Sequence, residues 1–574
     1  MPGAGSHSNP IMTKDADDRR GSSVPLLWLL LITAAALALR IRYIGSQIIS
    51  GDELHLLVVI TTRTFTEIPG TVTGFDYSIP LALFFRALSD FLPLTEIMLR
   101  TPMLVCGCLS PALAALLARR FVSSRLAIAL ACVMAVHPLF IFYSRFVRPY
   151  AICLALLLLV LWSADRWATE RRHRWLAAAA LLSALACWFQ PIALITVGLI
   201  FLGVLVREAW MPRSRPGTGE AVKGRPLALI VSGISALALT LLLFAPALGE
   251  LVKRMVMDKV GVGNLTREII LTHATALVGM SGTIPMVCFF LFVICGSALL
   301  AMRLRSRSLL LLLPLFGQPA VILLLRPSLI DLPLVLARYQ LYVLPIACLA
   351  ACVFMAEVGL RIRQGVIRVL PGFISSRHAG PAIAVLLAAL WILVGPYFSI
   401  YTHDNAYAHH YLFQTFRHET DPFWQAARGH ASLVPLHPYY STIYAARDSI
   451  PVVIEWPPPM DFTKMTYHVA QAFHTCALKI AGMPGEPWWS DQRLALRNVV
   501  DLTNPEFLPD MEPGTVVLLH KNPSEETAWF ALGRSTHAAP KPQHVRAYDE
   551  IFRHVSSLLG PPIFEDRFLV AFRR

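Results

Sequence analysis

Asp52 and Glu53 stand side by side in SQIISGDELHLLVVITTR (residues 46–63), where a chain otherwise poor in charge leaves its first long apolar run. A carboxylate at a membrane boundary can serve as a general base, taking a proton from an incoming hydroxyl. The plainer alternative is a pair of acids solvated by lipid headgroups. Neighbouring acids point in different directions, so two separate roles fit them better than one shared proton. The next basic residue in a fixed place is Arg100, in TEIMLRTPML at the head of the second long run. Its guanidinium can hold Glu53 by a forked hydrogen bond and keep the intervening loop against the bundle. Asp52 is then left ionised and free to face a substrate.

A second group lies in HPLFIFYSRFVRPYAICLALL (137–157), where two apolar runs meet in a turn carrying Arg145, Arg148, Pro149 and Tyr150. Two guanidiniums at a dry helix junction suit a phosphate, because each presents a planar fork of donors and stays charged. Snorkelling of the same side chains to headgroups is the structural alternative. Arg338 and Tyr339, in LARYQLYVLP, open a further run and by themselves read as an interfacial arginine and aromatic anchor.

The elements that must position these residues are membrane helices. Of 574 residues, 56% are hydrophobic and 15% charged, with a mean hydropathy of +0.57, outside the range of ordinary soluble proteins. Runs of about 20 apolar residues cross a bilayer as helices. About eleven can be placed, near 24–44, 99–119, 125–143, 150–168, 175–189, 191–208, 226–248, 284–303, 308–326, 337–356 and 381–400. The first follows a polar tail (1–23) and is long, without a small-residue cleavage site, so it reads as a retained anchor. Nine of the ten cysteines fall in these runs and read as small hydrophobes.

The formal charge of +14 invites nucleic acid until it is divided by region. Residues 402–574 hold 15 Lys and Arg against 18 Asp and Glu, leaving 35 basic and 18 acidic residues among the membrane runs. Of those 35, 22 lie in the N-terminal tail and in alternate loops at 119–125, 165–175, 207–226, 303–308 and 357–380. The positive-inside rule makes these cytoplasmic. The N-terminus is then cytoplasmic, and Asp52, the 145–150 turn, the 249–283 loop and everything after residue 401 face outward. Nucleic acid is not an expected partner. That parity requires IPLALFFRALSDFL (79–92) not to cross. It is too short to span, places Arg86 and Asp90 four apart, and carries Leu81, Phe84, Phe85, Leu88 and Leu92 on the other face of a helix lying along the interface. Residues 45–98 are thus one long outer loop with two juxtamembrane helices.

In their order, GDELHLLVVI, DYSIPLALFFRALSDFLPLTEIMLRTPMLV, ARRF, HPLFIFYSRFVRPYA and ARYQLYVLP resemble the successive landmarks of GT-C class membrane glycosyltransferases, the protein O-mannosyltransferase-like and aminoarabinose-transferase-like members above all. The resemblance covers roughly residues 25–400. It implies a sugar taken from a polyprenyl-phosphate carrier and passed to a glycan, lipid or protein acceptor on the outer face of a bacterial inner membrane. It places Asp52 at the catalytic acidic position, Glu53 as its neighbour and Arg100 as the basic residue paired with that neighbour. Arg145, Arg148, Tyr150, Arg338 and Tyr339 fall to substrate binding. Where many members carry a His-Pro-Pro-like motif this chain reads YSIP (77–80), with Tyr77 as a weak substitute. Such chemistry inverts the anomeric centre, with Asp52 accepting the acceptor's proton and arginines stabilising the departing phosphate. The lipid-linked sugar is a cosubstrate, no resident cofactor is required, and a divalent cation is compatible.

Two rivals belong to other classes. A transporter or flippase of lipid-linked glycans should place polar groups on broken helices at mid-membrane and show two similar halves; here the acids lie at the boundary and no repeat is visible. An outer-face oligosaccharide ligase is the other. DADD (15–18) lacks a sugar-nucleotide fold around it, GVGN (261–264) lacks the strand and helix of a phosphate loop, and twelve histidines after residue 400 form no compact ligand set. Past residue 401 the strand-like runs 450–457, 514–521 and 566–573 alternate with helical spacing at 465–482 and 545–560. The fold expected is a polytopic α-helical GT-C bundle (24–401) followed by a periplasmic α/β domain (402–574).

Overall fold

The structure is a computed structural model. It describes residues 24–41, 44, 53, 56, 59, 60, 63–70, 78–210 apart from 93 and 95, 225–257, 266–279, 283–327 and 333–369; in the C-terminal part it describes 452–456, 477–481, 499–500, 513, 514, 516–520, 542–565 and 569–574. The chain divides into two compact units, one of residues 1–42, 102–145 and 149–405, the other of 43–101, 146–148 and 406–574.

Helices occupy ten of the eleven apolar runs: α1 (Leu26–Ile41), α3 (Glu96–Ala118), α4 (Ser124–Val136) with α5 (Pro138–Arg145), α6 (Tyr150–Glu170), α7 (His173–Phe189), α8 (Ala193–Trp210), α9 (Arg225–Phe244), α12 (Thr283–Leu304), α13 (Leu309–Leu325) and α15 (Leu344–Val369). The run at 381–400 lies outside the described residues. Short helices fill the links: α2 (Ile79–Ser89), α10 (Leu248–Met257), α11 (Arg267–Val278) and α14 (Pro333–Gln340). Among the described residues five helical stretches are long and apolar enough to cross a bilayer, and α4 with α5 makes a sixth broken by 58°. One of the five, Thr283–Leu325, runs 43 residues. At 1.5 Å per residue that is roughly twice the hydrocarbon thickness. Its two helices are separated by the 3-10 turn Arg305–Ser308, where Arg305 takes φ 49°. The protein is a multi-pass helical membrane protein.

In the first unit α6 packs against α7 and α8, α9 against α7, α8 against α13, and α12 against α15. Small residues set the closest approaches, as expected where lipid offers helices no hydrophobic drive to associate. A Cβ on Gly296 would meet the carbonyl oxygen of Ala350 at 1.8 Å, and one on Gly107 would meet Ser144 Oγ at 2.0 Å.

The break between α4 and α5 has a definite cause. Pro138 has no N–H to give Met134, and the Leu139 N–H turns to His137 Nδ1 at 3.2 Å. The carbonyls so released are met by Arg40 of α1, fully buried, whose Nη1 donates to Ala135 O at 2.9 Å and Nη2 to Met134 O at 3.4 Å. Arg40 Nε also reaches Ser144 Oγ on α5 at 3.0 Å. One guanidinium thus sutures three helices across a proline break.

In the second unit α2 forms as the spacing predicts. Arg86 Nη1 lies 3.2 Å from Asp90 Oδ1. The apolar side divides: Leu81 and Phe85 are buried, whereas Phe84, Phe91 and Leu92 are exposed, available to a lipid surface. The C-terminal residues build a six-stranded sheet of β1 (Val452–Trp456), β2 (Ala477–Ala481), β3 (Val499–Val500), β4 (Val516–His520), β5 (Phe564–Glu565) and β6 (Leu569–Arg573), in the order β3-β2-β1-β4-β6-β5. The first four strands are parallel; β5 and β6 are antiparallel to their neighbours. A helix, α16 (Pro542–Leu559), precedes β5. This corrects the end of the helix expected over 465–482: ALKIA at 477–481 is a strand pairing with β1 in parallel, while 465–476 lie outside the described residues. Its apolar residues fit either period over so short a run, and the sheet decides.

Arg40→Met is expected to lower the melting temperature in nanodiscs, since each buried carbonyl left without a donor costs about 1–3 kcal/mol. Unchanged melting would show that the break does not depend on that guanidinium.

Candidate functional site

Glu53 is 1% exposed and Arg100, on the first turn of α3, is fully buried. Arg100 Nη2 lies 3.7 Å from Glu53 Oε2, an ion pair in a dry place. The other oxygen, Oε1, accepts the backbone N–H of Val147 at 2.7 Å. The geometry therefore differs from a forked pair: one oxygen faces the guanidinium and the other is spent on a main-chain amide. A carboxylate held by two partners on different segments cannot swing, so residue 53 is fixed to the head of α3 and to the turn 146–148. Arg148 belongs to that turn, with its own N–H on Phe146 O at 2.7 Å and its side chain buried. Asp52 and Tyr77 lie outside the described residues.

The first unit gathers a second set. Arg145 ends α5 and Tyr150 begins α6, both buried. Arg338, on α14, sets its guanidinium carbon 5.7 Å from the Tyr150 ring centre and 5.3 Å from that of Tyr339, within cation–π range. Tyr143 meets Tyr150 edge to face with ring centres 4.9 Å apart. Gln318 of α13 holds this corner: its Nε2 donates to Tyr339 O, and its Oε1 accepts Thr196 Oγ1 from α8 at 2.5 Å. Arg338 and Tyr339 thus belong to an arginine–tyrosine cluster with Tyr150, beyond the isolated anchor their own stretch of sequence implies. An aromatic-lined guanidinium of this kind can face both a phosphate charge and an apolar or sugar surface.

Three polar features carried no sequence signal as sites. His137 Nε2 lies 3.0 Å from Leu277 O on α11, and Gly279, at φ 71°, closes α11 so tightly that a Cβ would stand 2.7 Å from the Pro138 ring. The His-Pro pair inside an apolar run is the clue that could have found it. The cavity beside Arg40, lined by Ser110, Tyr143 and Ser144, measures about 10 Å³. That is room for one water at most, so this polar patch is part of the framework. Asp165 draws together arginines of three segments near the other end of α6. Among the described residues no three His, Cys, Asp or Glu side chains come together as a metal site; Asp52, His403, His409, His410 and His418 lie outside them.

Arg100→Leu is expected to cost about 3–5 kcal/mol by stranding a buried carboxylate. Glu53→Gln should cost less, because its amide oxygen still accepts from Val147, and the double variant should be more stable than Arg100→Leu alone. Thermal melts of the four proteins check this; strictly additive losses would mean that the two groups do not interact.

A domain of unknown function, DUF6311, matches residues 27–269. A sequence search of curated proteins finds no match. Among solved structures, ArnT from Cupriavidus metallidurans is similar both in its apo state and bound to undecaprenyl phosphate. Each is 14% identical to this chain, with a TM-score of 0.51, over 96% of this chain and 98% of that one. Over 96% of its length, then, this chain shares its fold with ArnT.

Proposed function

We propose that the protein is an inverting glycosyltransferase that moves a hexosyl or pentosyl unit from a polyprenyl-phosphate carrier to an acceptor hydroxyl on the outer face of a bacterial inner membrane. The observation that carries this reading is the buried Glu53 carboxylate, anchored to Arg100 at 3.7 Å and to the Val147 N–H at 2.7 Å. An acid so confined is a positioning group, and its chain neighbour Asp52 is the residue left for chemistry. The likeness to a protein solved with undecaprenyl phosphate supports the donor class.

In this mechanism Asp52 takes the proton of the acceptor hydroxyl as its oxygen attacks the anomeric carbon from the face opposite the phosphate. The bond from the anomeric carbon to the phosphate oxygen breaks, and polyprenyl phosphate leaves as the monoester with an added negative charge. Arg145, Arg148 and Arg338 neutralise that charge, while Tyr150, Tyr339 and Tyr77 offer rings and hydroxyls to the sugar. The N-terminus is cytoplasmic, and the strands after residue 401 belong to a periplasmic module (402–574) that covers the reacting groups or selects the acceptor. The acceptor is a glycan, a lipid or a protein. The donor is a cosubstrate, and a divalent cation is tested by adding a chelator.

Purified protein in nanodiscs, given a panel of polyprenyl-phosphate sugars, is expected to release the carrier from at least one. Asp52→Asn should reduce release by about 100-fold or more while melting like the parent. Undiminished turnover in that variant would remove Asp52 from the mechanism, and no release from any donor would remove the donor class.

A further inference from the structure

Roughly 22 Å along α6 from Tyr150, at 1.5 Å per residue, four segments send charges to one point. Asp165 is fully buried. Its Oδ1 accepts Arg307 Nε at 2.9 Å and its Oδ2 accepts Arg307 Nη2 at 2.8 Å, a forked pair. Arg120 Nε donates to Oδ2 as well, with its Nη2 on Thr169 Oγ1 at 2.9 Å. Arg207 Nη1 lies 4.0 Å from Oδ1. Three guanidiniums face one carboxylate, an excess of two positive charges. Glu208 and Glu170, paired with Arg171 and Arg166, also lie within electrostatic reach of Arg207 and Arg120; with both pairs counted, five guanidiniums meet three carboxylates and the excess of two remains.

Arg207 is the least satisfied of the three. It is 5% exposed; its Nη2 reaches Ala168 O only at 3.5 Å, and its Nε and Nη1 have no hydrogen-bond partner. A buried fork with two N–H groups unspent, beside a surplus of like charge, requires an acceptor that is also an anion. A water would answer the donors but not the charge. The basic residues concentrated in the loops at 119–125, 165–175, 207–226 and 303–308 put the hub on the headgroup-rich side where basic clefts between helices take lipid phosphates.

We propose that Arg207, with Arg120 and Arg307 around Asp165, binds a phosphate-ester anion, supplied by the headgroup of an anionic phospholipid in the leaflet on the side of these basic loops. The site serves the bundle and does not depend on the reaction assigned to Asp52. In nanodiscs of phosphatidylglycerol the parent protein is expected to melt several degrees higher than in phosphatidylcholine, and native mass spectrometry should retain phosphatidylglycerol on it. Arg207→Gln should erase both effects while melting like the parent in phosphatidylcholine. Arg120→Gln is the second variant should the first not fold, and Arg207→Lys should recover part of the shift, as a charge without a fork. A parallel arm adds inorganic phosphate to phosphatidylcholine discs: an equal rise there, lost in Arg207→Gln, upholds the anion site and names free phosphate as its source. Equal melting of the parent in both lipids with no response to phosphate, or an undiminished response in Arg207→Gln, overturns the proposal.

Discussion

A hydrocarbon layer supplies no hydrogen bonds, so every interruption of a membrane helix must be answered from inside the protein. The interruption at Pro138 is the one on which the bundle's arrangement turns. Proline removes a donor and bends the span by 58°, and the released carbonyls of Met134 and Ala135 find their donors on Arg40 of another helix. A charged side chain at such depth is tolerable only because its N–H groups are occupied by carbonyls and a hydroxyl. The bend also produces a short α5 that ends at Arg145. The placement of Arg145, to which a role in the reaction is assigned, therefore rests on a proline and on an arginine of another helix.

Buried carboxylates recur in the structure, and their company differs. Glu53 is held by the Arg100 guanidinium and the Val147 amide from different segments, an arrangement that fixes a direction. Asp165 meets three guanidiniums and leaves charge over. A pair whose charges cancel is suited to positioning; a hub whose charges do not is suited to holding something else. Burial alone does not separate the two, because both acids are almost wholly enclosed. The unspent donors of Arg207 beside Asp165 do.

What could be read from residue order follows this physics. Apolar runs announced ten helices at nearly the right places, since length and hydropathy are local properties. Glu53 with Arg100 was legible because a buried acid needs a cation and few were in reach. Val147 was not, because a backbone N–H has no sequence signature. ALKIA was misread as helix because five residues cannot distinguish a buried strand from a helical turn, and only pairing with β1 settles it. The arginines around Asp165 were read as markers of membrane side, their mutual approach being a matter of tertiary packing between segments far apart in the chain.

His137 joins the bent span to α11 through the carbonyl of Leu277, with Gly279 pressed on the proline ring. That bond ties α11, which also packs against α14 and α12, to the bent span. With the Leu139 N–H on the other ring nitrogen, one imidazole is engaged on both sides and braces the bend and α11 together.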